Sequence, residues 1–151
     1  NRDILLAALL IGDKNNHEYF AHKYNVSNKI KENLNLLAND LKLIEVNKDF
    51  FDKDLEKNIY LNSKNHLINL NILNFLNNSK YKLNDFSKTL KRILQSKVHI
   101  FPIDGKYLIQ NGMKEGSTLG RVLKIIEDEW IINRFKISKD QVKKIINSNL
   151  S

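Results

Sequence analysis

The sequence predicts an all-α fold, a multi-helix body followed by a small helical tail with glycine turns. Three observations carry that prediction. Apolar residues recur at helical spacing along most of the 151 residues. Only VHIFPI reads as extended, and it holds the single proline. Four of the five glycines fall in one stretch, GKYLIQNGMKEGSTLG over residues 105–120, which leaves few breakers elsewhere. The expected organisation is a body, 1–98, and a tail, 99–151, packed as one unit.

RDILLAALLIGD reads as a short buried helix ended at Gly12. Its apolar run is too short to span a membrane, and Asp3 before it with GDKNN after it does not make a secretory signal. HEYFAHKYN is a second short helix, and Ser27 is placed to cap a third, with Leu34, Leu37, Leu41 and Ile44 on its inner face. DFFDKDLEKNIYL and HLINLNILNFL predict two more helices with NSKN as the loop between them. The polar NNSKYK marks the clearest break, at 77–82. In NDFSKTLKRILQSK, Phe86, Leu90, Ile93 and Leu94 share one face, and Lys88, Lys91, Arg92 and Gln95 share the opposite one. In the tail, DGKYLIQNG predicts a turn and residues 117–133 a long helix with the stripe Leu119, Val122, Leu123, Ile126 and Trp130. Arg121 and Lys124 point away from that stripe. A last helix opens with a capping box from Ser138 to Gln141.

Charge is distributed unevenly. Asn, Lys and Ile make up 61 of the 151 residues, and all three have A/T-rich codons, so lysine content alone signals little. Residues 1–78 carry ten basic and ten acidic side chains, whereas 79–124 carry ten basic against three acidic. Codon bias does not remove acids from one third of a chain; an anionic partner would require their removal. The absence of cysteine excludes a disulfide framework and thiolate zinc sites, and fits a reducing compartment.

Neither GxGxxG nor GxxxxGK[ST] occurs, so the glycines read as architecture: Gly105 and Gly112 for positive φ, Gly116 and Gly120 for close backbone packing. Gly116, Ser117 and Thr118 also offer N–H groups at a helix start, near Lys114 and Arg121 in sequence, as a seat for one RNA phosphate. Asp52 and Asp54 have the spacing of a metal-holding pair on a strand. Leu55 and Ile59 put them on a helix instead, where they diverge by about 200° and become surface charge. The four histidines have no metal-ligand spacing, and Glu127, Asp128 and Glu129 fan out around a helix. On its residues alone the chain reads as a binding module.

FPIDGKYLIQNGMKEGSTLGRVLKIIEDEW resembles the C-terminal region of class II CCA-adding tRNA nucleotidyltransferases and their bacterial poly(A) polymerase relatives. The residues that carry the resemblance are Phe101, Pro102, Gly105, Leu108, Gly112, Glu115, Gly116, Gly120, Leu123, Glu127 and Trp130, with Ser138 opening the last helix. LLAALL and YNVSNKIKENL look like the start of the same family's helical body. Ser117 stands where the family often has proline, and Tyr107 where it often has an acid. The resemblance implies a body and tail that hold the elbow and T arm of tRNA, in the cytoplasm, while a separate head and neck bind Mg and CTP or ATP and add nucleotides. It also implies that this chain, which has no initiator methionine, is the piece without that head and neck, with no catalytic residues or metal of its own. Phosphate-backbone contacts are then expected from Lys88, Lys91, Arg92, Lys106, Lys114, Ser117, Arg121 and Lys124. Rival readings are the poly(A) polymerase subgroup, a helical interaction scaffold meeting an acidic protein, and a DNA-binding helix-turn-helix.

Overall fold

The computed structural model describes residues 2–12 and 16–149, apart from the side chains of residues 2 and 3. The described residues form helices and connecting turns, with no strand among them. The first six helices are α1 (Arg2–Leu10), α2 (His17–Lys23), α3 (Asn28–Val46), α4 (Leu55–Asn62), α5 (Lys64–Asn77) and α6 (Leu83–Gln95). They are followed by α7 (Gly105–Gln110), α8 (Ser117–Ile132) and α9 (Lys139–Asn147). The chain divides into two compact units, Asn1–Val98 and His99–Ser151.

In the first unit α5 is the central helix, packed against α1, α3, α4 and α6. Its sequence explains the position, because apolar side chains occur on most of its circumference. Leu67, Leu70 and Leu73 have no exposed surface. Burying each contributes about 1.5–3 kcal/mol. They meet Ala7 and Ile11 from the first helical segment, Leu34, Leu37 and Ala38 from α3, Leu55 and Ile59 from α4, and Ile93 from α6 in one core. Polar groups carried into this core are paired. His66 donates from Nε2 to Asp40 Oδ2 at 2.8 Å and joins α5 to α3. Asn71, fully buried, donates from Nδ2 to the Phe86 carbonyl at 3.1 Å and accepts from the Tyr81 hydroxyl at 2.8 Å.

The second unit has its own core of Leu108, Met113, Val122, Ile126, Val142 and Ile146, with Leu119 and Leu123 packed against it. Trp130 meets Phe135 edge-on with ring centroids 4.9 Å apart, and His99 stacks flat on Phe135 at 3.8 Å. The expected stripe of α8 is therefore the buried face of the tail, and the expected cap of α9 is present: Gln141 N donates to Ser138 Oγ, and Ser138 N to Gln141 Oε1.

Four local expectations need correction. DFFDKD is not helical but a set of turns before α4. Asp49 N donates to Asn47 Oδ1 at 3.0 Å, and Asn47 Nδ2 donates to Asp54 Oδ2 at 3.1 Å. These side chains compete with a helical backbone for the same hydrogen bonds. The loop expected at NSKN contracts to Ser63, which separates α4 from α5 at φ 96° and whose Oγ accepts from His66 N. The turn expected at DGKYLIQNG contains α7, started by Asp104, whose side chain accepts from Tyr107 N at 2.9 Å. Finally, glycine roles are partly exchanged. Gly105 is the tightly packed one, since a Cβ there would lie 3.2 Å from Leu119 Cδ2. Gly116 takes φ 144°, a region open essentially to glycine alone, while a Cβ at Gly116 or Gly120 would meet nothing within 4 Å. Gly112 has the expected positive φ, at 97°.

Candidate nucleic-acid interface

Of the eight predicted contact residues, the first unit holds Lys88, Lys91 and Arg92, all on α6, and the second holds Lys106, Lys114, Ser117, Arg121 and Lys124. The α6 stripe follows from burial of the other face. Ile93 is fully buried and Phe86 and Leu90 are partly so, which leaves Lys88 and Lys91 exposed on the other side. Leu94, expected on the buried face, is exposed instead at the end of the helix. The helix is held at both ends. Lys82 N donates to Asp85 Oδ2 at its start, and Lys64 Nζ donates to the Leu94 carbonyl at its end, 2.8 Å away.

Arg92 departs from the expectation. It is engaged within the protein, its Nη2 lying 2.6 Å from Asp52 Oδ1 and 3.2 Å from the Asp52 carbonyl oxygen. Asp52 thus has a specific partner 40 residues away in sequence and is not idle surface charge. The second of the pair, Asp54, binds the Asn47 amide. The two carboxylates therefore serve different partners.

In the second unit Lys106 is exposed on the short α7, Lys114 on the turn before α8, and Arg121 in the second turn of α8. Ser117 and Thr118 are exposed in the first turn of α8, which Gly116 precedes with no side-chain cap. Their amides are among those that a helix start leaves without an intrahelical acceptor. Lys124 is the second departure. Its ammonium lies 2.9 Å from Glu127 Oε2 and 3.0 Å from Asp128 Oδ1. The hydrogen bonds to Glu127 and then Asp128 raise its pKa above the ordinary lysine value. The fan of acids on α8 neutralises the one predicted cation nearest to it.

Among the described residues, Lys88, Lys91, Lys106, Lys114 and Arg121 are exposed and have no ion-pair partner. Two of the three acids in 79–124 are occupied by backbone amides: Asp85 by Lys82 N, and Asp104 by Tyr107 N. The sequence reading missed a further basic run. Residues 134–149 hold Arg134, Lys136, Lys139, Lys143 and Lys144 against Asp140 alone, and all five cations are exposed. Counting charge from 134 rather than 125 separates them from the α8 acids and would have found them.

Among the described residues no group of three or more His, Cys, Asp or Glu could hold a metal ion, and no helix is long and apolar enough to cross a membrane. No protein-family model matches this chain, and neither a curated protein nor a solved structure is significantly similar to it.

Proposed function

We propose that this chain is a non-catalytic RNA-holding module, the tRNA-binding C-terminal part of a CCA-adding tRNA nucleotidyltransferase acting in the cytoplasm. The observation that carries the reading is that, among the described residues, five of the seven predicted contact cations are exposed and without an ion pair, in a region whose acids are few and largely occupied by helix caps. Such a surface binds phosphates without reading bases, which suits a module that positions one end of an RNA by gripping another part of it. The resemblance of residues 101–130 supplies the choice of tRNA. In this reading Lys88 and Lys91 contact the backbone from α6, and Lys106, Lys114, Ser117 and Arg121 contact it from the tail. Mg and CTP or ATP are handled by the head and neck of the parent protein.

The test is binding to a tRNA lacking CCA at two salt concentrations, beside a hairpin of the acceptor and T stems and a poly(A) strand. Preference for tRNA and hairpin, weakening steeply with salt, is the expected result. Equal binding to poly(A) would remove the preference for tRNA, and no binding to any RNA would overturn the reading. The poly(A) polymerase alternative is separated by testing the full-length parent on tRNA lacking CCA against generic RNA. Incorporation of CTP or ATP by this chain alone would also overturn it. A helical interaction scaffold is the second reading. An open, mostly apolar groove of about 250 Å³ lined by Ile125, Glu129, Ile137, Gln141, Lys144 and Ile145 favours it, and tight tRNA binding counts against it.

A further inference from the structure

We infer that Asp52 is an internal competitor of the polyanion, holding Arg92 out of the interface until a phosphate displaces its carboxylate. The inference rests on α6 being a face that meets the polyanion. Arg92 lies on the same side of α6 as Lys88 and Lys91, one turn beyond Lys88. It differs from them in carrying a carboxylate at 2.6 Å. That carboxylate reaches the stripe from the turns before α4, so a residue from the charge-balanced part of the sequence neutralises one position of the acid-poor part.

Two features make the contact exchangeable rather than structural. The first is exposure: the Arg92 side chain is 39% and the Asp52 side chain 61% accessible to water. Pairs this open shift an equilibrium by about fivefold at most. A phosphate offers a guanidinium the same charge-assisted bonds that a carboxylate does, so exchange loses none of the hydrogen bonding. The second is that Asp52 is held in place without Arg92. Asp52 N donates to the Asp49 carbonyl at 2.9 Å, and Asp54 N donates to the same oxygen at 3.0 Å. The neighbouring Phe50 is buried, with its carbonyl bound by the Asn58 side chain at 2.9 Å. The turn therefore presents the acid whether or not the arginine is there. Binding to α6 must overcome this pair, and its removal frees a cation in the stripe.

The experiment compares Asp52→Asn with Glu45→Gln, which removes one exposed acid of α3 with no ion pair among the described residues. Both changes raise net charge equally. Both are repeated in an Arg92→Gln background, and each protein is titrated with the tRNA, the hairpin and inorganic polyphosphate. D52N is expected to bind about two- to fivefold more tightly than E45Q. In the R92Q background the two are expected to be indistinguishable. Equal affinity of D52N and E45Q, weaker binding by D52N, or an excess that persists without Arg92 overturns the inference. If the unsubstituted chain binds polyphosphate but no RNA, the tRNA reading falls and the polyphosphate arm still decides the role of Asp52. If it binds no polyanion, both fall.

Discussion

Ser63 shows how one residue sets the angle between two helices at a cost. At φ 96° and ψ 155° its backbone lies where side chains are rarely accepted, yet its hydroxyl oxygen caps α5 by accepting from His66 N at 3.3 Å. Strain of this kind costs about 1–3 kcal/mol. Losing a serine cap to glycine costs only a few tenths of a kcal/mol, and losing it to alanine about 1 kcal/mol. The two substitutions are therefore expected to have opposite signs. Ser63→Gly should raise stability by about 1 kcal/mol because relief of strain exceeds the loss of the cap. Ser63→Ala should lower it by about 1 kcal/mol because the strain stays and the cap goes. Urea midpoints for the two variants check this. A loss in both would mean that the cap, not the strain, governs the junction.

At the scale of elements, the turn between α5 and α6 is fixed by Tyr81. Its hydroxyl donates to Asn71 Oδ1 at 2.8 Å and lies 2.7 Å from the Thr89 hydroxyl, so one side chain binds a residue of each helix. Tyr81→Phe leaves the buried Asn71 oxygen without this donor and is expected to cost about 1–2 kcal/mol. The same residue gives a pH dependence. Burial raises its pKa above 10.0, the Thr89 hydroxyl opposes that shift, and the charge of Asp85 adds to it. The folded chain thus holds the phenolic proton longer than the unfolded one. The resulting stability is whole below pH 10.0 and declines as pH rises through the raised pKa. Unfolding midpoints from about pH 8 to about pH 11 should fall more for the unsubstituted chain than for Tyr81→Phe; parallel curves would remove Tyr81 as the cause. This junction also marks how far the sequence could be read. Capping and periodicity are local, so the faces of α6 and α8 and the cap of α9 were legible. Asp49 and Asp54 were misread as helical because their bonds to Asn47 form only once the chain turns. The bonds of Tyr81 to two helices, and of Arg92 to Asp52, depend on tertiary contact that no spacing encodes. The candidate site was legible as a list of cations but not as a list of free ones: Lys124 was neutralised by acids that a window ending at 124 excluded.

For the whole molecule, the decisive property is that free cations occur in both compact units, Lys88 and Lys91 in one and Lys106, Lys114 and Arg121 in the other. If one RNA is held by both, each unit raises the local concentration of that RNA for the other, and weakening either weakens the whole. We predict that Lys88→Glu with Lys91→Glu, and separately Lys114→Glu with Arg121→Glu, each lower tRNA affinity by at least about tenfold at low salt and flatten its salt dependence by about two phosphate contacts. None of the four residues has an ion pair to lose among the described residues, so the folds should survive and melting temperatures should change little. The acceptor and T stem hairpin separates the contributions. If RNA bridges both units, the affinity of the chain for the hairpin and for the tRNA should fall in parallel with either pair reversed. Reversal of the tail pair without effect on either RNA would confine the interface to α6 and detach the glycine-rich segment from RNA binding. Since the tRNA assignment was drawn from that segment, it would then lose its support, and a basic helix with a less specific polyanion would be what remains.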